Sequence, residues 1–349
     1  MATGFNSKQI FHRSSQPLIE IHNLQKKFDL HGDFLDQLQW KNGKIIRQYE
    51  YIHAVNFVSF DIFHGETLCV VGESGCGKST LGRLIIGLLK PTSGEIKFDG
   101  QSLGNMNRAK MFPFRKKMQM IFQNPYSSLN PRKTIYKTLE EPLKFHFPKL
   151  NRLQREEQIN EVMRSVGVDP SWRDRYPHEF SGGQRQRISI ARAIILQPEF
   201  IIADEPISAL DVSIQAQVLN LLMDTQAQRK LTYLFITHDL SVVQHIGSRV
   251  LVMYLGAVYE LAPTKQLFDN PRHPYTKALL SAIPKLDTNN SGHIKLQGEV
   301  PTPVNLPSGC YFFSRCRHAV DICKNIRPQL KNVDPQTMVA CHLVEAGKL

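Results

Sequence analysis

No stretch of this 349-residue chain approaches the ~18 uninterrupted apolar residues that a membrane-spanning helix needs. The first sixteen residues, Met1–Gln16, lack an apolar run followed by a small-residue cleavage site, so no secretory signal is expected and a cytosolic protein is. Six cysteines are too few to staple a chain of this length, and in the cytosol they would stay reduced. No internal repeat is visible. Acidic residues are the scarcer sign, 31 Asp+Glu against 43 Lys+Arg, leaving a formal charge of +12. That balance suits a protein that meets phosphates, nucleic acid or anionic lipid, and composition does not choose among them. With 42% hydrophobic residues the chain is neither disordered nor collagen-like. At about 150 residues per domain it has room for two domains, or for one large domain with an appendix.

Leu18–Phe28 reads as a short strand, and Asp29–Tyr49 as a polar inserted loop. Alternation over Val55, Phe57, Val58, Phe60 and Ile62 predicts antiparallel strands. Thr67–Val71 is different: a short continuous apolar run, as in a strand covered on both faces. Leu81, Leu84, Ile85, Leu88 and Leu89 then trace one face of a helix, expected to stop at Lys90-Pro91. Two more apolar runs, Phe200–Ala203 and Tyr233–Ile236, flank a helix marked by Ile214, Val218 and Leu222. Strands alternating with helices predict an α/β fold on a parallel sheet. Residues from about 126 to 185 read as a helical insertion. After Pro263 the texture changes to Pro- and His-rich segments, Asn289–Gly292 and clustered cysteines. The organisation expected is thus a tail over 1–16, a main domain over 17–262 and an extension over 263–349.

Gly72-Glu73-Ser74-Gly75-Cys76-Gly77-Lys78-Ser79-Thr80 matches G-x-x-x-x-G-K-[ST] between a buried strand and a helix. Glycines there let the backbone curl its N–H groups inward at a helix start, forming an anion cradle. Lys78 supplies a point charge for the outer phosphates, and the Ser79 hydroxyl completes a Mg²⁺ shell. Asp204 and Glu205 end the second buried strand, at the sheet edge where ligands of open α/β sheets bind. Asp204 is placed to hold Mg²⁺ through water, and Glu205 to orient or deprotonate the water that attacks the γ-phosphate. Ser181-Gly182-Gly183-Gln184 offers a second anion-gripping helix start. With one phosphate loop and two grips per chain, head-to-tail pairing would let each nucleotide sit between the loop of one subunit and the Ser-Gly-Gly of another. A plain helix N-cap is the alternative for that motif.

GESGCGKST, FSGGQ, FIIADEP, SALD and a His after the next strand occur in that order, and over residues 17–260 the chain resembles an ABC-type ATPase subunit. The resemblance implies a P-loop ABC ATPase fold: a parallel sheet core, an antiparallel β subdomain and a helical subdomain. It also implies Gln123 as the switch glutamine sensing Mg²⁺, Asp211 at the dimer seam and His238 against the γ-phosphate. Phe28, with Tyr51 as second choice, would stack on adenine. YPHEFSGGQRQRI, FQNPYSSLNPR, ALDVSIQAQVLNLL and HPYTKALLSAIP narrow the resemblance to the dipeptide/oligopeptide permease ATP-binding subunits, of the F type. Phe180 and Ile207 stand where the general pattern has Leu and Thr; Phe180 suits the narrower family.

What that family implies is an ATP- and Mg²⁺-dependent importer ATPase, peripheral on the cytoplasmic face of a bacterial plasma membrane. It works with a second ATPase subunit, two transmembrane permease subunits and an extracytoplasmic peptide-binding protein, and without nucleic acid. Related cargo (nickel, antimicrobial peptides, glutathione) and a non-transport ATPase acting on nucleic acid are the alternatives. Cys310, Cys316, Cys323 and Cys341, with five, six and seventeen residues between them, lack tight zinc-finger spacing. In some members of this family such a tail is thought to hold a [4Fe–4S] cluster. Zn²⁺, with His342 as a further ligand, and plain reduced thiols compete with it. Finally, eight basic and no acidic residues lie between Asp99 and Glu140: Arg108, Lys110, Arg115, Lys116, Lys117, Arg132, Lys133 and Lys137. They read either as an attraction to anionic lipid or as an ordinary solvated face.

Overall fold

The structure is a computed structural model describing residues 16–30, 38–41, 44–47, 50–104, 106–283, 294–296, 298–299 and 301–349. The expectations for residues 1–15 and for Asn289–Gly292 lie outside the described residues. β1 (Pro17–Asp29) is followed by a small hairpin, β2 (Leu38–Lys41) and β3 (Lys44–Arg47), and then by β4 (Tyr51–Phe63). The segment expected to be a loop therefore carries two paired strands. β1 and β4 run antiparallel with several register shifts. One irregularity explains the imperfect alternation in β4. Phe57 takes φ 50° and is 57% exposed, whereas Val55, Val58, Phe60 and Ile62 are buried. A bulge adds one residue and returns the later side chains to the inner face.

β5 (Thr67–Val71) is buried at all five positions. Leu68 and Val70 join an apolar cluster with β1 and β4, while Cys69 and Val71 join a second cluster on the opposite face. α1 (Lys78–Ile85) follows, and it ends a turn earlier than expected. Gly87, at φ 74°, closes it, with Leu88 and Leu89 N–H both turned onto the Arg83 carbonyl. A left-handed glycine terminates a helix before any proline is reached; Leu88 consequently stands 58% exposed.

β6 (Ser93–Phe98) and β7 (Gln101–Ser102) complete a four-stranded antiparallel sheet in the order β4-β1-β6-β7. α2 (Arg108–Lys117) leads to β8 (Met118–Ile121). Then come α3 (Pro125–Ser128), α4 (Ile135–His146), α5 (Arg152–Ser165), two 3-10 turns and α6 (Gly182–Ile194). Phe180, just before α6, is buried and meets Trp172 edge-on at 6.1 Å. β9 (Phe200–Asp204), α7 (Val212–Arg229), β10 (Thr232–Ile236), α8 (Leu240–Ile246), β11 (Arg249–Tyr254) and β12 (Ala257–Pro263) return the chain to the main sheet.

Past Pro263 lie α9 (Thr264–Asp269), α10 (Pro274–Ser281) and the short strands β13 (Lys331–Asn332) and β14 (Met338–Val339). The main sheet runs β13-β14-β12-β11-β5-β10-β9-β8. β8, β9, β10, β5 and β11 are parallel, and the rest antiparallel. The extension thus continues the sheet instead of hanging from it.

Candidate nucleotide site

The loop Gly72–Gly77 joins β5 to α1 at the C-terminal edge of the parallel strands. Gly77 is the N-cap of α1 at φ 101°, and a Cβ there would stand 2.1 Å from the Ala54 carbonyl oxygen of β4. Gly72, at φ 149°, is pressed equally hard against the Met253 carbonyl. Only glycine fits either place, so the loop is squeezed between two strands. Gly256 N–H donates to the Cys76 carbonyl at 2.9 Å, anchoring the loop from behind. Cys76 is buried, and burial pushes its thiol up, leaving its backbone as the useful part.

Lys78 is 5% exposed and lies back across its own loop, its Nζ donating to Gly72 O (2.8 Å) and Glu73 O (3.0 Å). These carbonyls hold the ammonium where a phosphate would otherwise meet it. Ser79 Oγ donates to Asp204 Oδ1 at 2.8 Å. Asp204 is 2% exposed, and burial raises its carboxyl above the ordinary range even though Ser79 opposes the shift. A hydroxyl and a buried carboxylate at this separation are hard oxygen donors suited to a water-rich Mg²⁺.

Glu205 follows in a left-handed backbone conformation, φ 46°, its N–H bonded to Ile236 O at 2.9 Å. That turn swings its carboxylate toward the ends of the two neighbouring strands. Gln123, just past β8, donates Nε2 to Glu205 Oε2 at 2.9 Å. His238, just past β10, sets Nδ1 3.4 Å from Glu205 Oε1. Gln123, Asp204, Glu205, His238 and Ser79, taken from four separate stretches of chain, are therefore gathered at one edge.

Other sequence candidates lie elsewhere. Ser181 caps α6 in a reciprocal box, accepting from Gln184 N at 3.3 Å while its own N–H donates to Gln184 Oε1 at 2.9 Å. Among the described residues no hydrogen bond or ion pair joins Ser181–Gln184 to Gly72–Thr80; Gly182 and Gly183 pack instead against Leu210 and Ile214. Asp211 is the N-cap of α7 without a side-chain capping bond. Phe28 pairs with Ile52, and Tyr51 with Asp29, in adjoining rungs of the β1–β4 ribbon, a few residues from the Ala54 carbonyl that touches the loop. Lys26 Nζ lies 4.9 Å above the Phe28 ring.

Two loop contacts escaped the sequence reading. Arg315 grips the Glu73 carboxylate through both terminal nitrogens, at 2.7 and 3.0 Å. Glu73 N–H donates to Tyr275 Oη at 3.0 Å. Tyr275 belongs to the quoted HPYTKALL segment, but no local spacing links either residue to the loop.

Cys310, Cys316, Cys323 and Cys341 are all free thiols. Burial raises Cys310 to about 11, with Cys323 and Cys316 adding to the shift; Cys316 and Cys341 are raised likewise. Backbone N–H groups of Phe312, His318, Leu343 and Val344 face the sulfurs. Four soft sulfur donors with N–H···S contacts are the donor type that a thiolate-bound cluster uses. Among the described residues, however, no group of three or more His, Cys, Asp or Glu is drawn together closely enough to hold a metal ion. The His342 ring faces the Ile326 carbonyl at 2.9 Å. No helix among the described residues is long and apolar enough to cross a membrane.

Comparison with known proteins agrees with this geometry. The ABC transporter family matches residues 55–208, and the oligopeptide/dipeptide transporter C-terminal region matches residues 259–323. The chain is 50% identical to the oligopeptide transport ATP-binding protein AppF of Bacillus subtilis, over 95% of this chain and 98% of that one. It is 49% identical to the dipeptide transport ATP-binding protein DppF of Escherichia coli, over 95% of each chain. Among solved structures it resembles the dimeric ABC transporter cassette MJ0796, with TM-score 0.61 and 27% identity, covering 70% of this chain and 98% of that one. The same cassette bound to ADP and Pi gives TM-score 0.60. A phosphate loop, a paired Asp-Glu at the adjacent strand end and an HPY-type extension therefore converge with overall identity near one half: the chain is an ATP hydrolase and belongs to the ATP-binding subunits of the oligopeptide/dipeptide family of ABC transporters.

Proposed function

We propose that this chain is the subunit that binds and hydrolyses ATP to energise peptide import. The observation that carries this reading is the meeting of Gln123, Glu205 and His238 beside the Ser79–Asp204 pair, at the mouth of the phosphate loop. In this reading the loop amides other than those of Glu73 and Cys76, which are already engaged, and the Lys78 ammonium take the β- and γ-phosphates. Ser79, Asp204 and Gln123 would hold Mg²⁺, which would supply charge neutralisation to the phosphates. Glu205 orients or deprotonates the attacking water, and His238 contacts the γ-phosphate as charge develops. Phe28 stacks on adenine. Ser181–Gln184 act on the nucleotide of a companion subunit, with Asp211 at the seam between the two. Support for the pairing comes from the dimeric form of the MJ0796 cassette.

Two permease subunits complete the assembly at the cytoplasmic face of the membrane, and an extracytoplasmic peptide-binding protein delivers cargo. A groove of about 670 Å³ lined by Arg108, Ala109, Phe112, Arg115 and Phe145 offers a permease loop an aromatic floor with a basic rim. Elsewhere in the basic segment, Lys117 pairs with Glu199 at 2.8 Å and Lys133 with Glu141 at 2.7 Å, which favours a solvated face over a lipid-binding one. The four C-terminal cysteines would hold a [4Fe–4S] cluster only when drawn closer together than they stand here, with Zn²⁺ and plain reduced thiols as competitors. A colourless, iron-free protein after anaerobic purification would remove that assignment.

The decisive experiment reconstitutes the chain with its membrane subunits and measures ATP turnover with and without peptide-loaded binding protein. Stimulation by peptide is expected. Turnover indifferent to the membrane subunits, with nucleic acid co-purifying instead, would overturn the transport reading.

A further inference from the structure

We propose that Arg315 and Tyr275, both in the C-terminal extension, are positioning residues of the nucleotide site, holding Glu73 so that the phosphate loop accepts a triphosphate. The proposal rests on the reading that residues 72–80 bind ATP. Glu73 is the second residue of the loop, and the extension takes it by both its ends. Its carboxylate is bidentate on Arg315 and its N–H is bonded to Tyr275 Oη, across 242 and 202 residues of sequence. Its carbonyl meanwhile accepts from Lys78 Nζ. One residue therefore carries both the tie to the extension and the resting contact of the loop lysine.

Neither partner is a loose surface group. The Arg315 side chain is 7% exposed, and its Nη1 also donates to Tyr254 Oη at 3.4 Å. Tyr275 is fully buried, its ring 4.8 Å from Tyr254 and 5.3 Å from Phe312. It is aimed by His273, whose Nδ1 caps the Tyr275 N–H at 3.0 Å. Glu260 in turn accepts from the Arg272 and His273 N–H groups, each at 2.9 Å. The extension is separately fastened to the sheet by β12–β14 pairing, so these contacts are not what keeps it in place.

Charge gives the arrangement its purpose. A glutamate in a phosphate loop sets a negative charge beside an incoming polyanion. Arg315 neutralises it with a fork that also fixes where the carboxylate points. Without the guanidinium the carboxylate repels phosphate, and most strongly the nucleotide of highest charge.

The test uses the full chain, a fluorescent ATP analogue and its ADP counterpart, and thermal melting as a check on folding. Arg315→Ala should weaken ATP binding about tenfold and ADP binding less, since each tenfold is about 1.4 kcal/mol of lost interaction. Tyr275→Phe should weaken both about threefold, the size of one lost hydrogen bond. Arg315→Lys should retain most of the affinity. The sharpest expectation is sign reversal: adding Glu73→Gln to Arg315→Ala should restore ATP affinity, because the offending charge is gone. A purely structural tie would leave that double variant as weak as Arg315→Ala, or weaker. If Arg315→Ala does not fold, Tyr275→Phe, Arg315→Lys and the double variant carry the same comparison. Affinities within twofold of wild type in all of them, with Lys78→Ala losing nucleotide, would overturn the proposal alone. Normal binding by Lys78→Ala would instead overturn the assignment of the loop.

Discussion

Two helices of this chain begin with glycine-rich turns, and they are finished in opposite ways. α1 starts at a left-handed Gly77 with no side-chain cap, so its first amides are left for a ligand while two strands hold the loop in shape. α6 starts at Ser181 with a complete capping box, its serine and Gln184 satisfying each other. The first end is built to be incomplete until phosphate arrives. The second is satisfied on its own; in the proposed reading it would exchange its internal bonds for a companion's nucleotide when two subunits close. A self-capped end adds stability to the lone subunit and delays commitment until assembly.

The largest effect expected on this contrast is at Glu205. Glu205→Gln should leave ATP binding intact while turnover falls by about 10²–10⁴, the usual worth of a positioned base, and the closed dimer should accumulate on sizing columns. Near-normal turnover would sink the assigned role. Lys78→Ala should weaken nucleotide binding by about 10- to 100-fold, as a charge-assisted contact worth about 1.5–3 kcal/mol is removed. Equilibrium titration of the isolated subunit measures it. Ser181→Ala should separate the two grips: about 1 kcal/mol of stability lost from the cap, no change in ATP affinity of the monomer, and a clear fall in turnover of the paired form. Equal loss of affinity in the monomer would mean that both grips serve one subunit.

The smallest effect concerns pH. Burial raises the Asp204 carboxyl, so its proton competes with Mg²⁺ at higher pH than an ordinary aspartate's would. Mg²⁺-dependent ATP affinity should fall as pH drops through that raised value. Metal-free stability should run the other way. Asp204 contributes most when protonated, and that contribution is lost as pH rises through the folded-state value. Asp204→Asn should flatten the stability profile in thermal melts across the acid range.

How much could be read beforehand follows the range of the interactions. The phosphate loop, the Asp204-Glu205 strand end and the capped Ser181 were legible because each motif is local: strand, turn and helix start within ten residues. The convergence of the first two was legible too, since parallel strands bring their C-terminal ends to one edge. Three details were hidden by single backbone conformations: the left-handed Gly87 that ends α1, the Phe57 bulge, and the β2–β3 hairpin inside a polar stretch. Arg315 and Tyr275 were hidden for another reason. Nothing near them in sequence speaks of phosphate, and only the fold carries them to Glu73.

The β12–β14 seam bears on how the chain can be shortened. Trimming after Pro263 would bare the open margin of β12, and the carboxylate of Glu260, wholly screened from water in the intact chain, would lose the two amides that satisfy it. Such a fragment presents a sticky ribbon and an orphaned charge together, and should clump instead of behaving as a minimal ATPase.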